Sequence, residues 1–343
     1  MKKLNVGIIG YGWVATAHIA AINASEHAQV TAIYSSRKHD DQELSEKWGT
    51  DIRSYTDLDA MLSNKDIDAV SICSFSYQHK EHALLSAKAG KHIILEKPMA
   101  LSWSDCKEIE QVVKTNKVNF CICFECRWSN QFLSTKKLLD EGLIGELHYG
   151  EVDYFHGIGP WYGQFEWNAK KDGGGSSLLT AGCHALDALL LFMGSDVVEV
   201  TSYDTKTKSE IFEPYEYNTT SVTILKFSSG KIGKCATSVD CLQPYYFHTR
   251  LVGSEGSLMD NKFHSEKLKS DKSKWSELSM KMLDSGDVSD HPYQLQFDAF
   301  FESIIENRSM PLTGLTEAMK THEIIFAADK SAATGKSVRP SEL

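Results

Sequence analysis

The first 124 residues repeat one alternation, and that alternation restricts the fold more than any other feature of the chain. "LNVGIIG" is a short apolar run ending in glycine, followed by the helix-like "WVATAHIAAINAS". "AQVTAIYSS" is a second strand-like run, and the charged "DDQELSEKWG" predicts a helix stopped by Gly49. "IDAVSICSF", "HIILEK" and "VNFCICF" predict three more strands. Between them lie "HKEHALLSAKAG", a helix ending at Gly90, and "SWSDCKEIEQVVKTNK", a helix opened by a Ser cap. Strands separated by helices of this length imply a parallel sheet with right-handed crossovers.

The first strand–helix turn reads Gly10-Tyr11-Gly12-Trp13-Val14-Ala15, the G-x-G-x-x-A form of a dinucleotide fingerprint. Gly10 permits the tight turn, Gly12 lets backbone approach a pyrophosphate, and Ala15 allows close helix–strand packing. The helix start at Trp13 and Val14 offers N–H groups to phosphate. Such a turn is weak evidence in isolation. Here it follows a strand, opens a helix and begins a run of βα units. The end of the second strand bears on which cofactor is bound. An NAD site usually places a carboxylate there for the ribose 2′-OH, whereas this chain has Ser35-Ser36-Arg37-Lys38 and no acid before Asp40. Arg37 can pair with a 2′-phosphate, so the reading is NAD(P) with NADP(H) favoured; an ordinary solvated turn is the alternative. Ser74, Phe75 and His79, after the third strand, are further cofactor candidates, and Tyr77 lies at the same strand end.

From about residue 121 the rhythm changes. "ELHYGEVDYF", "VVEVTSYDT", "TTSVTILKFSSGKIGKCATSV" and "YFHTRLVGSEGSLMD" predict strands and hairpins, interrupted by the helix "SLLTAGCHALDALLLFMG". The expected division is a Rossmann cofactor domain over 1–122 and an α+β domain over 123–343. A C-terminal helix near 316–334 is expected to pack back on the first domain. The polar stretch 265–290 reads as a surface excursion.

Net charge is −10, with no block of lysine and arginine, which argues against nucleic acid and anionic membranes as partners. No run approaches the roughly 20 apolar residues of a membrane span. A cytoplasmic protein is expected. Among eight cysteines, Cys121, Cys123 and Cys126 cluster, but no CxxC pair or nearby histidine completes a metal set. They read as reduced core residues, with no metal.

The dinucleotide fingerprint, "AGKHIILEKP", "DAVSICSFSYQH", "GGGSSLLTAGCHALD", "LVGSEGSL" and the C-terminal "TEAMKTHEIIFAADKSAATGK" followed by "SVRP" together resemble the glucose–fructose oxidoreductase/inositol dehydrogenase/MocA family over nearly the full length. The resemblance implies an NAD(P)-dependent sugar, polyol or related dehydrogenase. It implies a second domain built on an open, mostly antiparallel sheet, used for contacts in a homodimer or homotetramer. It makes Lys97, just past the fourth strand, a catalytic and substrate-binding residue near nicotinamide. Glu96 would hold that loop by charge pairing or backbone bonding, and Pro98 would fix its turn.

His184 is the implied acid–base residue and substrate contact, with Asp187 one turn further along the helix. The family pattern usually has Asp one turn before this histidine; here Thr180 stands there as a third catalytic candidate, able to hydrogen-bond but not to hold the proton or the charge. Arg127, at a strand end, is a candidate substrate contact on topology. Sugar C–H faces stack on aromatic rings, which makes Tyr154, Trp161 and Trp167 candidates as well. Three functions remain open: alcohol–ketone interconversion on a sugar, glycoside or cyclitol; a redox-neutral reaction by transient oxidation, then elimination or glycoside cleavage; and an inactive cofactor-binding protein.

Overall fold

The strand–helix rhythm is present in the computed structural model, which describes residues 2–194, 196–269, 271–283, 286 and 291–343. β1 (Leu4–Ile9) leads into α1 (Trp13–Ala24), β2 (Ala28–Tyr34) into α2 (Asp41–Trp48), and β3 (Arg53–Tyr55) into α3 (Leu58–Leu62). β4 (Ala69–Ile72), α4 (His79–Lys88), β5 (His92–Leu95), α5 (Trp103–Asn116) and β6 (Phe120–Ile122) complete the series. The six strands form one parallel sheet in the order β3-β2-β1-β4-β5-β6. Chain order reverses between β1 and β4, the position at which such sheets bind ligands beyond their carboxyl ends. Ile8, Ile9, Val70, Ile72 and Ile93 to Leu95 are fully buried, which is why these strands read as continuous apolar runs. β3 and α3 were not expected; at three and five residues they are too short to show a period.

The helix ends follow local chemistry. Asp40 accepts from the N–H groups of Gln42 and Glu43 and so caps α2, and Gly49 closes it at φ 71°. Ser102 caps α5 through the N–H of Asp105.

α6 (Asn130–Asp140), β7 (Leu147–Phe155), α7 (Phe165–Asn168) and α8 (Cys183–Met193) open the second part of the chain. β8 (Val197–Thr205), β9 (Thr220–Phe227), β10 (Ile232–Ser238), β11 (Tyr246–Gly253), β12 (Gly256–Met259), β13 (Lys262–Ser265) and β14 (Ser276–Glu277) follow. With β7 they make an eight-stranded sheet, β14-β13-β12-β11-β7-β10-β9-β8, antiparallel except for the β7–β10 pair. α8 packs on β7 and β10, where a Cβ on Gly150 would lie 2.5 Å from Met193 Sδ. The helix expected as one piece begins with a π-helical turn, Leu178–Gly182. The polar stretch 265–290 contains β14, and its residues 270, 284, 285 and 287–290 lie outside the described residues.

α9 (Tyr293–Ile305) and α10 (Leu315–Thr334) end the chain. Two units separate: the described parts of Met1–Glu125 with Asp287–Met319, and of Cys126–Gly286 with Lys320–Leu343. The boundary thus falls three residues beyond the expected one. It is α9 that joins the first unit, while the long C-terminal helix belongs, from Lys320 onward, to the second. All eight cysteines are free, and seven are buried. No described helix is long and apolar enough to cross a membrane.

Candidate functional site

In the first unit, strand register builds the candidate site. Ile9 pairs with Ile72, Ile72 with Leu95, and Leu95 with Ile122. The next residue on each strand, Gly10, Cys73, Glu96 and Cys123, therefore lies in one row along the carboxyl edge of the sheet. Backbone hydrogen bonds continue into this row, from Cys73 N to Ile9 O and from Glu96 N to Ile72 O. Gly10 has φ 92°, and a Cβ there would meet Cys73 and Ser74 backbone at 2.9 Å, so only glycine fits. A Cβ on Gly12 would meet nothing within 4 Å, and Gly12 caps the start of α1. Open space over an N-terminal turn suits a pyrophosphate, and the buried Ala15 keeps α1 close to the sheet.

Glu96 is buried at the centre of a polar network. His18, on α1, donates from Nε2 to Glu96 Oε1 at 2.8 Å and from Nδ1 to Ser71 Oγ at 2.7 Å. The Tyr293 hydroxyl donates to Glu96 Oε1 at 3.1 Å, and Glu96 Oε2 accepts the backbone N–H of Lys97 at 3.1 Å. Burial by itself would lower the His18 pKa. The Cys73 thiol and the Glu96 carboxylate outweigh it and hold the imidazolium up to about 10. For Glu96 burial pulls upward, yet the His18 partner brings it below the usual carboxylate range. Both shifts favour the charged pair. Cys123 Sγ lies 4.0 Å from His18 Nε2, so three potential metal donors meet within 4.8 Å. Burial pushes the Cys123 thiol well up, away from the thiolate a metal requires, and His18 and Glu96 hydrogen-bond each other.

Other expected cofactor residues surround this edge. At the end of β2, Ser35 Oγ donates to Arg37 O at 2.6 Å, and Ser36 and Arg37 are exposed. Lys38 pairs with Asp41, and Asp40 is occupied as the cap of α2. Ser74 Oγ bonds His82, while Phe75 and Tyr77 are exposed and stacked at 5.5 Å. His79 is buried, with Nδ1 2.7 Å from Pro98 O and Nε2 3.1 Å from Ser74 O. It joins the loop after β4 to the loop after β5. Burial lowers its pKa, and a neutral ring has one hydrogen for these two carbonyls. The Lys97–Pro98 bond is cis.

In the second unit, His184 is buried on α8, its ring 6.4 Å from that of Tyr154. Tyr154 is wedged edge-on against Tyr245 and Phe247, each at 5.3 Å. Thr180 Oγ1 lies 2.9 Å from Gly174 O and 2.7 Å from the Tyr217 hydroxyl. Asp187, one turn after His184, receives Arg127 in two parallel bonds, Nε at 2.6 Å and Nη2 at 2.7 Å, and Thr321 Oγ1 at 2.7 Å. Arg127, a candidate substrate contact on topology, is thus buried with its guanidinium edge on Asp187. Trp161 is exposed and donates to Gly157 O; the Trp167 carbonyl lies where a Cβ on Gly173 would be.

Residues 4–124 match the oxidoreductase family model described as Gfo/Idh/MocA, NAD-binding Rossmann fold, and residues 132–259 match the Gfo/Idh/MocA C-terminal domain. The chain belongs to the Gfo/Idh/MocA family. It is similar to a myo-inositol 2-dehydrogenase of Thermotoga maritima, 26% identical over 255 residues, which are 74% of each chain. It is also similar to a 2,7-anhydro-N-acetylneuraminate hydratase of Mediterraneibacter gnavus, 28% identical over 205 residues, 59% of this chain and 52% of that one. The chain therefore spans only about half the length of some curated relatives. A levoglucosan dehydrogenase solved in complex with NADH shares the fold, with TM-score 0.83 and 22% identity over 98% of this chain and 99% of that one.

Four residues that contact candidate residues of this Gfo/Idh/MocA chain escaped the sequence reading: His18 and Tyr293 in the first unit, and Tyr217 and Tyr245 in the second. His18 did leave a signal. It sits on the same face of α1 as Ala15, Ile19 and Ile22, and a polar ring on an apolar face needs a buried partner. The three tyrosines come from distant segments and left none.

Proposed function

We propose that the protein is an NAD(P)-dependent oxidoreductase that interconverts a secondary alcohol and a ketone on a sugar, glycoside or cyclitol. The observation that carries this reading is the row at the sheet's carboxyl edge. The glycine turn that suits a pyrophosphate follows β1, and the loop of Lys97, tied down by Glu96, follows β5, with β4 between them in one parallel sheet. Nicotinamide, when bound, accepts or returns the hydride. The N–H groups at the start of α1 and the turn at Gly10 and Gly12 would hold its phosphates. The Lys97 ammonium would stabilise negative charge on the reacting oxygen, and His184 would take or return the hydroxyl proton. Arg37, exposed beyond β2 where an acid would repel a 2′-phosphate, supports a preference for NADP(H).

A second reading is redox-neutral: transient oxidation, elimination or glycoside cleavage, then return of the hydride. Thr180 in a chain of hydroxyls favours it, as does the likeness to a hydratase. We further propose a homo-oligomer acting in the cytoplasm, where its thiols stay reduced. The test mixes purified protein with NAD⁺ or NADP⁺ and a panel of cyclitols, free sugars and glycosides. Growth of A340 with a ketone product supports the first reading. Product without A340 change supports the second, and neither on any substrate overturns both.

A further inference from the structure

The π-helical turn Leu178–Gly182 is fastened at both ends. Near its end, a Cβ on Gly182 would lie 2.6 Å from Thr237 Oγ1 on β10, so the backbone lies directly on the sheet. At its start, Ser176 Oγ accepts the N–H of Leu179. In the middle, the Thr180 hydroxyl meets Gly174 O at 2.9 Å and the Tyr217 hydroxyl at 2.7 Å, and the Tyr217 hydroxyl lies 2.8 Å from Asn168 O. Gly174 closes over this group: a Cβ there would be 2.3 Å from Asn168 O, 2.3 Å from the Tyr217 oxygen and 2.6 Å from Thr180 Oγ1. The glycine-rich stretch before the turn is what lets these oxygens come together.

The chemistry of the group follows from counting hydrogens. It contains three short oxygen–oxygen contacts, and the two hydroxyls bring one hydrogen each. A 2.7 Å contact between hydroxyl oxygens needs a hydrogen between them. Either Tyr217 donates to Thr180 and Thr180 to Gly174 O, or Thr180 donates to Tyr217 and Tyr217 to Asn168 O. The shared hydrogen couples the two hydroxyls, so altering one side chain changes what the other can bond. A π turn inserts one extra residue into the helix and sets the rotation of everything after it.

We propose that Tyr217 is a positioning residue. Through the hydrogen it shares with Thr180 it holds the π turn in register, and so sets the direction of the α8 side chains that follow, His184 among them. This rests on the proposed role of His184 in turnover, and the test separates the two. Wild type, Tyr217→Phe, Thr180→Val, Thr180→Ser and the Phe/Val double variant are compared in two ways. One is kcat and KM on a substrate found with the panel above. The other is the NMR titration of the His184 ring, which needs no substrate.

Tyr217→Phe and Thr180→Val are each expected to lower kcat about tenfold, with cofactor KM within about twofold, and to move the His184 titration midpoint in the same direction. The double variant should be no worse than either single variant, as for one unit. Thr180→Ser should recover most of both signals. Losses that multiply in the double variant, or a His184 titration indifferent to Tyr217→Phe, would overturn the proposal. A moved titration with turnover unaffected would retain the positioning role and reject His184 as the acid–base group.

Discussion

His18 is fully buried in the first unit and its charged form is favoured there, which makes a prediction about pH. Its pKa is raised from the ordinary 6.5 to about 10 in the folded chain, so the stability it adds is complete below about pH 6.5 and is lost as pH rises through 10. Thermal melts of wild type should fall steadily between pH 7 and 10, and His18→Gln should flatten that slope. Removing one partner of a buried pair costs roughly 3–5 kcal/mol, so the variant should also melt lower at pH 7. A wild-type slope unchanged by the substitution would count against the ion pair. Lys97→Ala should cost at least about 100-fold in kcat, the scale for losing one donor to a developing oxyanion, with little change in cofactor affinity. Wild-type turnover in that variant would remove Lys97 from the site. Thr180→Asp should lower native turnover rather than raise it. A carboxylate at this position brings no hydrogen, and would face the Gly174 carbonyl that now lies 2.9 Å from the hydroxyl. A gain in net hydride transfer would refute this. Lys97 at a strand end and His184 on a helix were proposed from motifs. The partners of Glu96 were not, since finding them requires the register of β4 and β5 and the placement of α9.

Among elements, legibility followed pattern length. β9 is rich in β-branched residues, Thr220, Val222, Thr223 and Ile224, and runs into a Ser-Ser-Gly turn, so it was visible along with its hairpin partner β10, although Val222 and Ile224 lie on the exposed face. β1, β4 and β5 were visible as apolar runs with glycine or charge at their ends. The π turn was not, because Leu178–Gly182 has the same apolar spacing as a regular helix turn and differs only in what it is tied to. The end of β2 is an element-scale cofactor determinant. Asp40 caps α2 and Lys38 pairs with Asp41, while Arg37 is exposed beside them. Arg37→Ala should weaken NADP(H) binding about tenfold or more while NAD(H) changes little, in paired fluorescence titrations. An equal loss for both, or a wild-type preference for NAD(H), would reject the assignment.

At the scale of the whole molecule, the eight-stranded sheet covers one face with α8 and turns the other outward. That outer face shows Tyr203 at 70% exposure, with Val222, Ile224 and Ile232 also exposed beside it. Lys234 sits among them with its charge answered by Glu151 at 2.8 Å and Asp153 at 2.6 Å. Apolar area with locally neutralised charge is suited to a second copy of the same face. Light scattering at micromolar concentration should give a multiple of 38.3 kDa, and Ile224→Glu should shift it toward the monomer. A wild-type reading of 38.3 kDa would end the oligomer proposal.

The return of α9 to the first unit also bears on how the protein is made. The Rossmann strands are synthesised by residue 122, yet the unit they form is then incomplete. Tyr293 supplies a hydrogen bond to Glu96, Gln296 donates to the Ile122 carbonyl, and Phe297 packs edge-on against the His18 ring at 4.9 Å. At about 5–20 residues per second, a ribosome needs roughly ten to thirty seconds to go from the last of these strands to α9. For that interval α1 presents an uncovered apolar flank and a polar network short of one member. The nascent chain has to be sheltered, or to wait half-assembled, until α9 emerges.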